Sequence, residues 1–417
     1  MRQVRLLLGI SVFWLALSML FDGVNTLVLP RYLLGFTEPA SRATTLGLLT
    51  FVGLLLGMLV QPVAGLVSDQ LRQHWGRHSM IALGVVLILA SLVFFGFANS
   101  LAIVFVSYVC LQLAASIAQA AQQGFIPDLV PVQRRGMAAG WKGFMDLGGA
   151  FLGFVILGQL LKGGQTAPAL LAIAAMVIVT FTLTVVLVRE PTQAATAASP
   201  RVTLVDAFRL DLRRHRIFVW LVVSRFLFLL GTYAVGRFLL YFVADRLHLD
   251  AGRASEQAGT LLAGLTLLTL IAAPLAGWAA DRFGRIPAML GGAVLSAAGA
   301  LLLAIAGSAL QIFLFGGLMA LGSAAFAAAN WALTADVAPP NEAARFLGLA
   351  NIGTAGAAAA AGLFGPLVDW SNGAASGMGY TALFAAAVLA FIASALAVRG
   401  VAGQPTWPPL TSRQQAR

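Results

Sequence analysis

Ionisable side chains inside long apolar runs are the residues of this sequence best suited to chemistry. Asp22 lies in the first such run, and Asn25 follows one turn later on nearly the same helical face. Removal from water disfavours a charged carboxylate, so a carboxyl in this place can bind and release a proton. We therefore expect Asp22 to be a proton site. The alternative is an aspartate that pairs with a buried cation for packing alone.

Four more charged residues lie in later apolar runs. Lys142 and Asp146, four residues apart, could neutralise each other or exchange partners with Asp22 or Arg225. Arg225 lies roughly 12 Å into its run, at about 1.5 Å per residue, and could extend to the inner surface or pair with a helix-end carboxylate. Arg237 is expected at the outer end of the same run, near the interface. We assign proton coupling to Asp22, Asp146, Lys142 and Arg225.

Amide and aromatic side chains in these runs suit a ligand with many hydroxyl groups. Amides both donate and accept hydrogen bonds, and aromatic rings stack on the apolar faces of sugars. Amides also join membrane helices to each other, and we expect about half of them to do only that. Besides Gln61, the expected substrate-binding residues are Asn25, Gln119, Gln122, Gln123, Tyr233, Asn330, Trp331 and Asn351.

The runs that carry these residues are long enough to cross a bilayer as helices. The chain is 60% hydrophobic and only 10% charged, whereas a soluble domain is about 25% charged. The alternating pattern of a β-barrel is not seen. We predict an all-α membrane protein with spans near 8–34, 43–68, 79–98, 101–127, 137–161, 167–188, 217–243, 256–280, 287–307, 309–336, 346–369 and 378–398.

The net charge of +11 sets the orientation rather than indicating a nucleic-acid partner. Basic residues concentrate in alternate connecting segments, which places both termini in the cytoplasm. The arginine, alanine and glycine content favours a bacterial protein of the inner membrane, which we expect to be a monomer in the lipid bilayer. The opposite segments contain only Arg31, Arg42, Lys162, Arg246 and Arg253.

Two short polar loops repeat each other. Gly65 precedes Asp69 by the same four residues as Gly277 precedes Asp281, and a Gly-Arg pair closes each loop. Other landmarks repeat at nearly constant offset, which predicts two parallel six-helix halves. The predicted domains are a six-helix bundle at 1–188, a cytoplasmic linker with an amphipathic helix at 189–216, a second bundle at 217–398 and a cytoplasmic tail at 399–417.

These loops and the repeat resemble the major facilitator superfamily over essentially the whole chain. The first loop, from Ser68 to Arg77, is similar to that of glycoside–pentoside–hexuronide:cation and sucrose:proton symporters, although Gln70 replaces the usual basic residue. The resemblance implies a cytoplasmic gate that holds the halves together in the outward-facing state. The alternative is that its charges only anchor loops at the headgroups. The gate residues are Gly65, Asp69, Arg77, Asp128, Gly277, Asp281, Arg282, Arg285 and Asp336.

The resemblance implies a secondary transporter, not an enzyme, that works by alternating access. We expect a small, neutral, hydroxylated solute such as a sugar or glycoside, in symport with a proton. Sucrose symporters carry an arginine in the fourth helix that is missing here. A phosphate-binding loop is missing too, Cys110 is the single cysteine, and His74 and His78 lie apart from other ligands, so we expect no cofactor or metal. The alternatives are proton-coupled efflux of a lipophilic compound and a non-transporting assembly or pigment-delivery protein.

Overall fold

The computed structural model describes residues 2–131, 134–190, 215–337, 343–375 and 377–402. In this part of the chain it contains helices, turns and bends but no strands. Twelve helices are long and apolar enough to span a membrane, which confirms the prediction: α1 (Val4–Leu33), α2 (Pro39–Leu71), α3 (Gly76–Gly96), α4 (Leu101–Leu129), α5 (Arg135–Lys162), α6 (Ala167–Leu187), α7 (Arg216–Arg246), α8 (Ala251–Phe283), α9 (Arg285–Leu303), α10 (Ala309–Val337), α11 (Leu349–Ala374) and α12 (Met378–Val401).

The two repeated loops turn at equivalent glycines. Gly76 has φ 70° and ψ 169° between α2 and α3, and Gly284 has φ 98° and ψ 147° between α8 and α9. Residues with a side chain rarely adopt positive φ of this kind, so both turns need glycine. The two positions are 208 residues apart (284 − 76), as are Asp128 and Asp336. The duplication seen in the sequence therefore extends to the backbone.

Two spanning helices are irregular in the middle. In α1, residues Met19–Val28 form a π-helical segment that contains Asp22 and Asn25. In α11, a 3₁₀ turn at Ala361–Phe364 interrupts the α-helix. Irregular backbone at membrane depth is tolerated where protein buries it or where it lines a cavity, and π-helical turns are frequent at functional sites.

The first six helices and the last six form two halves that meet mainly along two helix pairs. Helix α2 packs against α11, and α5 packs against α8. Glycine allows the closest approaches: a Cβ atom on Gly158 would lie 3.0 Å from the Cα of Gly259, and one on Gly47 would overlap the carbonyl of Gly362. Close contact through small residues is how helices associate in lipid.

The described hydrogen bonds and ion pairs between the halves all lie on the outer side. Asp369 near the end of α11 accepts hydrogen bonds from the backbone N–H groups at the start of α2. The halves are thus closed toward the outside. The bonds are Thr44 N to Asp369 Oδ2 (2.6 Å), Ala43 N to Asp369 Oδ1 (3.2 Å), Lys162 Nζ to Glu256 Oε1 (2.9 Å) and Tyr241 hydroxyl to the Pro30 carbonyl (3.0 Å).

The predicted linker and tail are the parts of the domain scheme that the structure scarcely covers. Helix α6 ends at Leu187 and α7 begins at Arg216, close to the predicted ends of the linker. The amphipathic helix predicted before Arg216 and most of the tail lie outside the described residues. The domain boundaries therefore stay a prediction.

Candidate functional site

A polar cavity lies between the two halves. Its volume is about 350 Å³, which is within the range of small-molecule sites. Both halves contribute, through α1, α2, α4 and α5 on one side and α7, α8 and α11 on the other. The polar lining residues are Asp22, Asn25, Thr26, Gln61, Gln112, Ser116, Gln119, Thr232, Tyr233, Arg237, Asn351 and Thr354.

Asp22 is the carboxyl group of this lining. The π-helical segment of α1 carries it, and Thr26 donates a hydrogen bond to its backbone carbonyl (2.6 Å). Its side chain is half-buried and forms no ion pair with a described residue. Arg237 and Asp146 are the charged groups that act on it. The carboxyl group is therefore available to a proton or a ligand.

Arg237 also lines the cavity, and the prediction that it lies at the interface is wrong. Its side chain is only 4% exposed, and its Nη2 donates to the carbonyl of Ala358 (2.8 Å). The prediction relied on Arg31, which lies two residues before the end of α1. Helix α7 continues for nine residues after Arg237, or about 13 Å. The repeat thus matched the residue types but not their depths.

Asn25 belongs to a buried network with α4. Its Oδ1 accepts hydrogen bonds from the Tyr108 hydroxyl (2.6 Å) and from Gln112 Nε2 (3.1 Å), and Gln112 Nε2 lies 2.7 Å from the Tyr108 hydroxyl. The sequence interpretation missed Tyr108 and Gln112. Helical periodicity contains a signal for Gln112, since it precedes Gln119 by two turns on the same face.

The other amides of the cavity wall come from both halves of the protein. In the first half, Gln61 Nε2 donates to Gln119 Oε1 (3.1 Å) across α2 and α4. In the second half, Asn351 is exposed to the cavity and Tyr233 is half-buried in its wall. A ligand between them would meet donors and acceptors from each half.

Arg225 is buried within the second half and held by neutral groups. Its Nη1 donates to Asn330 Oδ1 (3.0 Å), its Nε donates to Thr354 Oγ1 (2.8 Å), and its guanidinium carbon lies 4.3 Å from the centroid of the Trp331 ring. Neither alternative from the sequence, extension to the surface or a carboxylate partner, is observed among the described residues. Asn330 and Trp331 therefore hold the guanidinium of Arg225 in place, and neither residue is part of the cavity lining.

Lys142 and Asp146 contact α1 separately. The Lys142 Nζ lies 3.9 Å from the centroid of the Trp14 ring, and Asp146 Oδ1 accepts a 2.5 Å hydrogen bond from Ser18. No ion pair between the two is found in the described chain. Each charge has its own partner, which leaves their predicted role in coupling untested.

Two expected ligand amides lie outside the lining. Gln122 is fully buried and donates to the Ile10 carbonyl (2.8 Å), which joins α4 to α1. Gln123 is half-buried on the next position. The position of Gln122 favours helix packing, the alternative that the sequence left open for these amides.

The first gate loop forms an ion cluster around Arg77. This side chain is 5% exposed. Its Nε lies 2.5 Å from Asp128 Oδ2, its Nη2 lies 2.7 Å from Asp69 Oδ1, and its Nη1 donates to Ser68 (3.2 Å). The cluster joins the α2–α3 loop to the inner end of α4, within one half.

Glu190 completes this cluster from the end of α6. Its carboxylate accepts the backbone N–H groups of Arg77 (2.8 Å) and His78 (2.7 Å), and His78 Nδ1 lies 2.6 Å from it. Burial alone would raise the pKa of Glu190, but the hydrogen bonds from His78 and the two N–H groups outweigh it and lower the pKa. The sequence interpretation missed Glu190, because no local pattern links it to a loop more than a hundred residues earlier.

The second gate loop repeats part of this arrangement. Arg285 forms an ion pair with Asp336, as Arg77 does with Asp128. Asp281 and Arg282 are exposed. A Cβ on Gly65 or Gly277 would meet nothing within 4 Å, so neither glycine is in close helix contact in this conformation. The described ion pairs of the gate residues lie within each half, and a latch between the halves stays a prediction for the opposite conformation.

Twelve spanning helices in two repeated halves, with a polar cavity between them, define a membrane transporter rather than an enzyme. A protein-family model described as "MFS/sugar transport protein" matches residues 15–344. The chain belongs to this family, which confirms the resemblance seen in its loops. It is a multi-pass membrane protein of a class that binds small-molecule substrates. No curated protein matches it in sequence.

Solved transporters share the fold. A bacterial homologue of the human lysosomal transporter Spinster, in an inward-facing and unoccupied conformation, aligns with a TM-score of 0.73 and 16% identity over 96% of both chains. The nucleoside transporter NupG gives 0.74 and 14% over 96% of this chain and 100% of its own. The peptide transporter POT, in complex with sulfate, gives 0.70 and 14% over 95% and 94%. At these identities the likeness shows the fold alone.

Proposed function

We propose that this protein carries a small hydroxylated solute, a sugar or glycoside, together with a proton across the bacterial inner membrane. The observation that supports the proposal is the cavity itself, where the carboxyl of Asp22, which has no ion-pair partner among the described residues, lies among amides from both halves. The family description, "MFS/sugar transport protein", points to the same class of solute. We expect the working unit to be a monomer, because the cavity is built within one chain.

The solute would bind between the halves and cross by alternating access. Gln61 and Gln119 from one half and Asn351 from the other offer donors and acceptors for hydroxyl groups. Asp22 would take up a proton from the outer side and release it inside. Enclosing a neutral carboxylic acid in the closed, low-dielectric cavity costs less than enclosing an unpaired carboxylate, which would tie solute movement to the proton.

The inner gate would close the cytoplasmic side in the outward-facing state. Arg77 with its aspartates, and Arg285 with Asp336, lie at the inner ends of the helices that would meet there. In the conformation described, the contacts between the halves are on the outer side. The gate role is thus a proposal about the state in which these outer contacts are broken.

Proton-driven uptake into proteoliposomes tests the proposed function. With the interior alkaline, a panel of labelled sugars and glycosides should give at least one substrate that accumulates against its gradient. Asp22→Asn should abolish this accumulation but retain exchange of labelled for unlabelled solute, since the amide cannot titrate. Asp250→Asn is the matched control, because Asp250 is an exposed helix cap that asparagine can replace.

Two outcomes would count against the proposal. Accumulation by Asp22→Asn at the wild-type level would remove Asp22 from proton coupling. Loss of an amphiphile from the vesicles under the same gradient, with no sugar uptake, would favour efflux of a lipophilic compound.

A further inference from the structure

Arg237 has far more hydrogen-bonding capacity than its surroundings use. A guanidinium carries five N–H donors, and in the described chain only Nη2 has an acceptor, the Ala358 carbonyl. Its Nη1 is buried without a partner. Leaving a buried charged donor unmatched is expensive, so the position calls for an acceptor that is not part of the protein.

Arg225 shows what a satisfied arginine looks like at a similar burial. Two of its nitrogens have side-chain acceptors, and the Trp331 ring covers its plane. Arg237 has neither, although it lies in the wall of the cavity. The difference lies in the surroundings of the two arginines and not in their depth in the protein.

The groups that face Arg237 leave one positive charge to be balanced only when Asp22 is protonated. Asp22 from α1, Tyr108 from α4 and Tyr233 on α7 act on it electrostatically, and Asp146 from α5 acts in turn on Asp22. Asp146 has Lys142 one turn away on its own helix. With Asp22 ionised, the charges of Arg237, Lys142, Asp22 and Asp146 sum to zero. With Asp22 protonated, the four groups carry a net charge of +1.

We propose that the solute is a sugar acid whose carboxylate binds Arg237 when Asp22 is protonated. This inference rests on the proposed transport function and replaces the neutral solute expected from the sequence. A planar guanidinium binds a carboxylate through two parallel hydrogen bonds, while the cavity amides contact the hydroxyl groups. When Asp22 loses its proton, its carboxylate competes for Arg237, and the acid is released.

Matched pairs of probes separate the carboxylate from the sugar ring. D-glucuronate and D-glucose, and D-galacturonate and D-galactose, differ in one carboxylate. Purified full-length protein in detergent is titrated with each, and melting temperature and calorimetric affinity are measured at acidic and neutral pH. We expect at least one acid to bind at least about tenfold more tightly than its neutral partner, and more tightly at acidic pH.

Substitutions of Arg237 test its part directly. Arg237→Gln should abolish the difference between acid and neutral sugar. Arg237→Lys keeps the charge in case the glutamine variant does not fold, and it should weaken acid binding about tenfold because lysine lacks the planar pair of donors. Arg253→Gln is the control, since Arg253 is an exposed residue of the outer side, and it should bind as the wild type does.

Other results would overturn the inference in distinguishable ways. Equal binding of acid and neutral sugar, unchanged in Arg237→Lys, overturns the sugar-acid assignment and leaves sugar transport intact. Acid binding that tightens as the pH rises would overturn the link to Asp22 protonation. A lack of binding by every acid and every neutral sugar would overturn both the inference and the proposed function.

Discussion

Three buried arginines among the described residues differ in what surrounds them. Arg77 is held by two carboxylates, Arg225 by neutral groups and an aromatic ring, and Arg237 by a single backbone carbonyl. The cost of removing a charge from water is met most fully at Arg77 and least at Arg237. The first is suited to a fixed structural role and the last to an exchangeable ligand.

The two aspartates bound to Arg77 should contribute unequally to stability. The Asp128 side chain is 19% exposed and the Asp69 side chain 61%. Asp128→Asn is expected to lower the free energy of unfolding by about 1–3 kcal/mol, because a buried guanidinium loses its charged acceptor. Asp69→Asn should cost under about 1 kcal/mol, as exposed ion pairs do. Melting temperatures of the purified variants measure this difference.

Transport by the Asp69→Asn variant tests the gate. We expect Asp69→Asn to reduce uptake at normal membrane levels, because the latch needs its charge in the outward-facing state. Wild-type uptake by Asp69→Asn would leave the cluster with a structural role only.

At the scale of elements, Glu190 fixes the start of α3 from a distance. The first N–H groups of a helix have no acceptor within that helix. Here Glu190 supplies one to Arg77 and one to His78 at the point where Gly76 turns the chain. The contact ties the end of α6, and hence the beginning of the linker, to the gate loop.

Protonation of Glu190 should weaken this tie at low pH. Because its pKa in the folded protein lies below the ordinary value of 4.5, its contribution is fully present above that value and is lost as the pH falls through the lowered pKa. Thermal stability of the wild type should therefore fall as the pH drops below about 4.5. Glu190→Gln should be less stable at about pH 6 and show a smaller fall, whereas an unchanged fall would assign the acid sensitivity to other groups.

At the scale of the whole molecule, glycine backbones decide which side is closed. The contacts of Gly47 with Gly362 and of Gly158 with Gly259 let the outer ends of the halves meet. The polar contacts described across the outer side, such as those of Asp369, would have to break for the halves to separate. Closure of the outer side thus depends on the absence of side-chain volume at these crossings.

A bulky residue at such a crossing should open the outer side. Gly362→Leu is expected to push α2 and α11 apart and shift the population toward the outward-facing state. A cysteine at Asn351, in a Cys110→Ala background, should then react several times faster with a membrane-impermeant thiol reagent added outside. Gly373→Leu is the control, because a Cβ there meets nothing within 4 Å. Equal labelling of both variants would show that the Gly362 crossing does not hold the outer side closed.

Local rules predicted the twelve spans and several cavity residues. Hydrophobic length is a property of a short window, so each span could be found by itself. Asp22, Asn25, Gln119, Tyr233 and Asn351 are polar groups in such windows, and all five line the cavity.

Features that depend on distant parts of the chain could not be predicted. The depth of Arg237 depends on where α7 ends. Its match to Arg31 in the repeat predicted the wrong depth, because α1 ends two residues after Arg31 and α7 ends nine residues after Arg237. The partners of Arg225 come from α10 and α11, and the acceptor of the Arg77 amide comes from the end of α6. Periodicity also assumes regular helix, whereas α1 is π-helical at Asp22.

The Arg237 guanidinium in the cavity wall, which forms no ion pair with a described residue, has a consequence for energetics. A sugar carboxylate that crosses with one proton carries no net charge, so its movement is electroneutral. The membrane voltage, which supplies about 2.3 kcal/mol per charge per 100 mV, would then do no work on transport. Accumulation would follow the pH difference alone and persist in cells whose voltage has been collapsed by a potassium ionophore.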